Sequence, residues 1–324
     1  MTHAIRVHET GGPEVMKWEE VDPGRPGKGE ILVRNTAVGL NYIDVYFRTG
    51  LYKGPALPFT PGMEGAGIVE AVGEGVSGVS EGDRVAYSGP IGAYAERRVM
   101  PADRAVPVPD GIEDRQAAAM MLKGMTAQYL LRRVYPVHKG DTILFHAAAG
   151  GVGLIACQWA KSLGATVIGT VGSDEKAKLA ADHGCDYPIV YTRENFVERV
   201  KEITGGEGCA AVYDSVGKDT FDGSLDCLRR RGIMVTFGQS SGPVAPLDTS
   251  VLNAKGSLYL TRPTLLHFIA ERQELLDTAN ELFDMVKSGK VRIEVNQTCA
   301  LKDAVKAHRD LEGRRTTGST VLLP

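Results

Sequence analysis

No stretch of this chain approaches the roughly 18 consecutive apolar residues of a membrane-spanning helix. The five cysteines, Cys157, Cys185, Cys209, Cys227 and Cys299, are odd in number and contain no Cys-x-x-Cys pair. The first lack argues against a membrane protein, the second against a disulfide framework or a cysteine-rich zinc lobe. An excess of one charge is missing too: 37 basic and 40 acidic residues leave a formal net charge of −3. Bulk attraction to nucleic acid or to an anionic membrane is therefore not expected. The opening residues Met1–Arg6 lack a signal peptide's apolar run, so the expected setting is the reducing cytoplasm. Seven scattered histidines (His3, His8, His138, His146, His183, His267, His308) show no metal-site spacing, and most read as surface or partly buried residues.

What is present is an ordinary globular composition, 43% hydrophobic and 24% charged, over 324 residues. That length suits two domains. Residues 1 to about 122 read as mostly β. The β-prone runs are Ala4–Val7, Ile31–Arg34, Gly65–Val72, Arg84–Tyr87 and Ala93–Val99, separated by Gly, Pro and Asp clusters. Glycine is dense between Gly62 and Gly92, as tight turns in a small barrel require. From near Ala117 to about 263 the pattern changes to apolar strands alternating with helices. The series runs strand Thr142–Ala147, helix Gly151–Leu163, strand Ala165–Thr170, helix Asp174–His183, then strands at Ile189–Val190, Ala211–Asp214, Ile233–Phe237 and Leu258–Leu260. This alternation predicts an α/β fold with a doubly wound parallel sheet. The tail predicts a long helix at Leu265–Lys287, a strand at Val291–Asn296, a helix at Leu301–Leu311 and a strand at Ser319–Leu323. It adds strands without extending the alternation, so it is expected to complete the N-terminal domain. The boundaries are 1–122 plus 264–324 for one domain and 123–263 for the other.

The strongest motif is His146-Ala147-Ala148-Ala149-Gly150-Gly151-Val152-Gly153, between an apolar strand and an amphipathic helix. It reads as A-x-G-x-x-G, the dinucleotide-binding turn with alanine in the first glycine position. Gly150 lets the backbone approach a pyrophosphate, the helix N-terminus offers unpaired N–H groups and partial positive charge, and Gly153 lets the helix pack on the strand. A ligand-free glycine-rich helix start is the alternative, and the flanking strand and helix weigh against it. An NAD site places Asp or Glu about 20 residues on, at the tip of the second strand. Here that tip is Thr170-Val171-Gly172-Ser173, with no carboxylate. Gly172 leaves room for a 2′-phosphate, Ser173 can cap the helix and donate a hydrogen bond, and Lys176 lies one turn in. Asp174 and Glu175 argue mildly the other way. The absent acid carries the preference for NADP(H), since Lys176 alone reads as a surface lysine.

Several segments match a known family together: Gly39-Leu40-Asn41-Tyr42-Ile43-Asp44, Pro61-Gly62-Met63-Glu64-Gly65-Ala66-Gly67, Gly82-Asp83-Arg84-Val85, Gly92-Ala93-Tyr94-Ala95-Glu96, Lys123-Gly124-Met125-Thr126-Ala127, Ala147–Gly153 and Val212-Tyr213-Asp214-Ser215-Val216-Gly217. Over essentially its whole length the chain resembles the zinc-free quinone oxidoreductase branch, which includes zeta-crystallin, of the medium-chain dehydrogenase/reductase superfamily. The resemblance implies a β-rich GroES-like catalytic domain, a Rossmann domain, a cleft between them, and a homodimer joined through a Rossmann edge strand, here Ser257–Leu260. It also implies cofactor roles. Asn41 and Thr126 would lie by the nicotinamide, and Gly150, Gly151, Val152 and Gly153 would cradle the pyrophosphate. Gly172, Lys176, Tyr191 and either Arg314 or its neighbour Arg315 would surround the 2′-phosphate. Phe237 and Gly238 would border the ribose and nicotinamide.

Zinc-dependent relatives carry His in a Gly-His-Glu triplet that here reads Gly62-Met63-Glu64, and a cysteine ligand about where Asn41 stands. A thioether is a poor substitute for imidazole on zinc, so no metal is expected. Without that Lewis acid, alcohol oxidation lacks its main electrostatic aid. A quinone or enone is already electrophilic and needs mainly proximity, orientation and a few donors. Asn41, Tyr46 and Tyr52 are the candidate donors or stacking surfaces, although either tyrosine also reads as packing. Asp44 and Arg48 read as a helical i, i+4 ion pair, and Glu64 as a structurally held carboxylate. The expected activity is hydride transfer from NADPH to a quinone. The alternatives are reduction of α,β-unsaturated carbonyls or enoyl thioesters and, in a different class, a non-catalytic NADPH-binding protein of crystallin or RNA-binding type.

Overall fold

The computed structural model describes all 324 residues. They form two compact units, one of Met1–Met125, Ile269–Lys287 and Ile293–Pro324, the other of Thr126–Phe268 and Ser288–Arg292.

The first unit is built on the long strand Glu30–Leu40. Its opening residues alternate between the core and the other face, with Ile31, Val33, Asn35 and Ala37 inward, the period-2 pattern of a half-buried strand. Strand Glu64–Val72 lies antiparallel to it on one side, followed by Arg84–Ser88 and the short Val106–Pro107. On the other side the tail strand Ser319–Leu323 pairs antiparallel with it, and Val295–Ala300 pairs parallel with that tail strand. Strand Arg97–Pro101 pairs with the first half of Glu30–Leu40. Thr2–Val7 and Met16–Val21 make a separate two-stranded ribbon. Ile5, Val33, Val38, Leu40, Met100 and Leu322 meet in one core, and helix Ala304–Glu312 adds Ala304 and Ala307 to it.

The second unit is a six-stranded, wholly parallel sheet in the order Tyr187–Val190, Thr166–Val171, Thr142–Phe145, Cys209–Asp214, Leu228–Thr236, Tyr259–Thr261. Numbered along the chain this is 3-2-1-4-5-6, the doubly wound order whose switch point lies between the first and fourth strands. Every residue of Cys209–Asp214 is buried, as in a parallel strand covered on both faces. The sequence reading of an α/β fold with a doubly wound sheet holds, and no helix is long and apolar enough to cross a membrane.

Some elements differ from the sequence expectation. The helix expected over Leu265–Lys287 is two helices, Leu265–Phe268 and Arg272–Lys287. The carbonyls that would continue the first one are taken by arginines: Arg133 donates to Phe268 O, and Arg104 to Ile269 O and Ala270 O. The strand expected at Val291–Asn296 begins later, at Val295. The Gln158 side chain bonds both the N–H and the carbonyl of Arg292, so a ladder cannot start there. The strand expected over Ala93–Val99 begins at Arg97. The sequence reading did not mark strand Met16–Val21 or helix Asp114–Tyr129.

Candidate active site

In the parallel-sheet unit, the glycine turn follows the first strand at its carboxyl end. Strand Thr142–Phe145 ends two residues earlier than expected. Ala147 has left-handed backbone (φ 55°), and Gly150 opens helix Gly151–Ser162. Two glycines of this turn have different physical reasons. A Cβ on Gly153 would lie 2.4 Å from Ala147 O and 2.6 Å from Ala148 O, so the turn itself demands glycine there. Gly150 has an ordinary φ of −83°, and a Cβ on it would meet nothing closer than Ala147 O at 3.1 Å. A side chain at Gly150 would need that carbonyl to give by a few tenths of an ångström, a smaller demand than at Gly153, which leaves room for something that must come close as a further reason for glycine there. The helix start has no side-chain cap and no acid in its first turn. The first N–H groups of a helix lack intrahelical acceptors, and Gly151, Val152 and Gly153 supply them here. That arrangement fits a pyrophosphate.

The second strand ends at Val171, followed by Gly172 and Ser173. A Cβ on Gly172 would come 3.0 Å from Tyr191 Oη, which places that exposed tyrosine against the same turn. Ser173 Oγ accepts from Lys176 N at 3.3 Å and so caps the next helix, Asp174–Asp182. Asp174, the nearest acid, is held bidentately by Arg193 at 2.7 and 2.5 Å, and this pairing keeps its carboxyl below the usual range. The carboxylate that argued mildly for NAD is thus neutralised by an arginine. At the end of the fifth strand, Phe237 N–H donates to Asp214 O and the ring packs on Phe145 at 5.7 Å. Gly238 is buried, with Ser215 O only 2.7 Å from where its Cβ would be. Thr126 is buried on helix Asp114–Tyr129.

In the β-rich unit, helix Tyr42–Thr49 starts at Asn41, where Asn41 N–H donates to Asp44 Oδ2 at 2.9 Å. Tyr46 and Tyr52 are in ring contact at 4.8 Å, and Tyr42 touches Tyr46 at 5.4 Å. Burial raises the Tyr42 hydroxyl's pKa, helped by the nearby Glu312 carboxylate. The Asn41 amide nitrogen donates to Glu64 Oε2 at 2.8 Å and to Gly39 O at 3.3 Å. Glu64 is fully buried. Its Oε2 also accepts from Lys123 Nζ at 2.7 Å, and its Oε1 accepts from Leu122 N–H at 2.8 Å. A Cβ on Gly39 would lie 2.3 Å from Glu64 Oε2, so the glycine makes room for the carboxylate. Met63 is buried, and no three His, Cys, Asp or Glu side chains stand together as a metal site.

Asp44 does not pair with Arg48. Tyr94 Oη donates to Asp44 Oδ2 at 2.9 Å, and burial pushes the Asp44 carboxyl up to about 7. Arg48 instead holds Glu312 bidentately at 2.7 and 3.0 Å and donates to His308 Nδ1 at 2.9 Å. That leaves the His308 proton on Nε2, 3.1 Å from Tyr94 Oη. Burial first, then the Arg48 charge, lowers His308 to about 3, so it is neutral. His308, His146 and His183 are buried, while His3, His8, His138 and His267 are exposed, in keeping with the reading of most histidines as surface or partly buried residues. Of the paired arginines, Arg315 is tied to Asp310 at 2.8 and 3.0 Å, while Arg314 has left-handed backbone (φ 57°). The sequence reading overlooked Lys123, Tyr94 and His308 as members of this polar cluster. Their partners lie up to 260 residues away, as with His308 and Arg48, and no local pattern marks them.

A parallel sheet with a stripped glycine turn, in a chain whose β-rich unit carries a buried polar cluster, defines a nucleotide-dependent dehydrogenase or reductase. Comparison with known families agrees. Residues 27–110 match the alcohol dehydrogenase GroES-like domain, and residues 151–285 match the zinc-binding dehydrogenase model. The chain is 54% identical to a quinone oxidoreductase of Pseudomonas aeruginosa, with all of both chains covered. It is 46% identical to a 2-haloacrylate reductase of a Burkholderia species, covering 100% of this chain and 99% of the relative. The crystal structure of Escherichia coli quinone oxidoreductase complexed with NADPH superposes with a TM-score of 0.97 at 51% identity, covering 99% of this chain and 100% of that one. The chain belongs to the quinone oxidoreductase branch of the medium-chain dehydrogenase/reductase superfamily.

Proposed function

We propose that this protein is an NADPH-dependent quinone oxidoreductase. The observation that carries the reading is the turn at Gly150. A side chain there would crowd the turn less than one at Gly153, and the position stands in front of an uncapped helix start. Gly150, Gly151, Val152 and Gly153 are assigned to the pyrophosphate. Gly172, Ser173, Lys176 and Tyr191 are assigned to the adenosine 2′-phosphate, with Arg314 as the further cation. Thr126, Phe237 and Gly238 are assigned to the nicotinamide and its ribose. When bound, the reduced nicotinamide supplies the hydride. Tyr46 and Tyr52 are assigned to the substrate, where the tyrosine faces suit a flat conjugated ring; Asn41, whose amide hydrogens go to Gly39 and Glu64, is no donor to the substrate and is assigned to the nicotinamide. The test is NADPH consumption over a panel of quinones, enones and enoyl thioesters, with NADH alongside. Oxidation of NADPH by quinones, faster than of NADH, is expected; no oxidation by any quinone would overturn the reading.

A second reading, reduction of a conjugated carbonyl or carboxyl compound in general, is favoured by the 46% identity to a 2-haloacrylate reductase. The same panel separates the two. We further infer a cytoplasmic homodimer. The edge strand Tyr259–Thr261 pairs on one side only, and Tyr259 and Leu260 are exposed, the features of an edge that accepts another strand. Sedimentation of the wild type against a Leu260→Lys variant tests it, with a loss of the dimer expected in the variant.

A further inference from the structure

We propose that Lys123 is the acid of the reaction: its ammonium donates a hydrogen bond to the substrate oxygen being reduced and then gives that oxygen its proton. The inference deepens the quinone-reductase reading and rests on it. Its first support is an unfilled donor set. The Lys123 side chain is 6% exposed, and its one hydrogen bond goes to Glu64 Oε2 at 2.7 Å. An ammonium carries three donors, so two N–H bonds of a charge taken out of water lack a protein acceptor, a costly state unless a ligand or water fills them.

The second support is rigidity. Glu64 is pinned by Leu122 N–H on one oxygen and by Asn41 and Lys123 on the other, and Gly39 packs directly behind it. Lys123 is therefore an aimed cation rather than a swinging surface side chain, as preorganised stabilisation of developing charge requires. The third support is elimination among its neighbours. Both Asn41 amide hydrogens go to Gly39 and Glu64, and the Tyr94 hydroxyl hydrogen goes to Asp44. Asp44, whose carboxyl burial raises to about 7, also retains a hydrogen, but it is sealed at 0% exposure, whereas Lys123 keeps a little, so Lys123 is the one a substrate can reach.

The step balances. Hydride brings two electrons and one hydrogen nucleus to the quinone, and the displaced electron pair settles on the carbonyl oxygen. The Lys123 N–H bond breaks as the O–H bond forms, the hydroquinone leaves, and the neutral amine takes a proton from water. Glu64 holds the Lys123 side chain in place between turnovers.

The test uses Lys123→Gln and the charge-balanced pair Lys123→Met with Glu64→Gln, which removes the ammonium without stranding a buried carboxylate. Two quinones are compared: a halogenated one, whose reduced anion is already stable, and an alkylated one, whose anion needs help. We expect kcat to fall about 100-fold on the alkylated quinone and less than about 10-fold on the halogenated one, with the Kd for NADPH unchanged within about twofold. A merely structural role lowers both rates alike. A readout without turnover is the ionisation of bound 4-nitrophenol, followed by absorbance with NADP present. In the wild type it shifts at least about tenfold toward the phenolate, and the variants lose that shift. Equal losses on both quinones, no loss on either, or an unshifted nitrophenol on the wild type would overturn the proposal. A wild type inactive with every quinone instead removes the functional reading beneath it.

Discussion

Replacing Asp44 by Asn tests whether the polar cluster carries a carboxyl whose burial the fold tolerates at a cost. The folded carboxyl titrates at about 7 against an ordinary value of 3.8, because desolvation outweighs the bonds from Asn41 N–H and Tyr94 Oη. The folded state therefore holds the proton more tightly than the unfolded state does. This group's contribution to stability is complete below about pH 4 and is lost as pH rises through about 7. The full span of about three pKa units corresponds to roughly 4 kcal/mol, and about 2 to 3 kcal/mol of it falls between pH 5 and pH 8. Neutral buried His308 acts in the opposite sense. Its lowered value of about 3 makes stability fall as pH drops through the ordinary histidine range. The wild type and Asp44→Asn share that term, so the difference between them isolates Asp44. The assay is urea unfolding at pH 5 and pH 8 in a Trp159→Phe background, where Trp18 reports the β-rich unit. The wild type should lose about 2 to 3 kcal/mol more than Asp44→Asn over that interval. Equal pH dependence in the two proteins would refute the burial argument.

Other substitutions separate fold from ligand. Gly153→Val should destabilise the parallel-sheet unit by several kcal/mol, since its Cβ would sit 2.4 Å from Ala147 O, whereas Gly150→Val should lower the melting temperature far less and abolish NADPH binding; thermal melts with fluorescence titration distinguish them. Lys176→Ala should raise the KM for NADPH by about fivefold and leave that for NADH nearly unchanged, because an exposed charge on a phosphate is worth about 1 kcal/mol. Equal effects on both coenzymes would remove Lys176 from the phosphate site.

The sequence was most legible where chemistry is local. The Gly150–Gly153 turn, the absent acid after Val171 and the strand–helix alternation are all short-range patterns, and each predicts its own backbone. It was least legible where one residue has two plausible partners. Asp44 and Arg48 stand at helical ion-pair spacing, yet Arg48 is drawn away by Glu312 and His308 from the far end of the chain. Burial then leaves Asp44 with a tyrosine. The same holds for the broken helix at Phe268–Ala270, where arginines from distant segments intercept the carbonyls. Lys123 was visible only as a member of a matched segment. Its significance comes from Glu64, 59 residues earlier, and from the bonds it does not make.

The most direct measurement is a crystal structure of the protein with NADPH. The account predicts the pyrophosphate against the N–H groups of Gly151–Gly153 and the 2′-phosphate within hydrogen-bond reach of Ser173 and Lys176. Clear density for the nucleotide elsewhere, with the Gly150 turn empty, would contradict it.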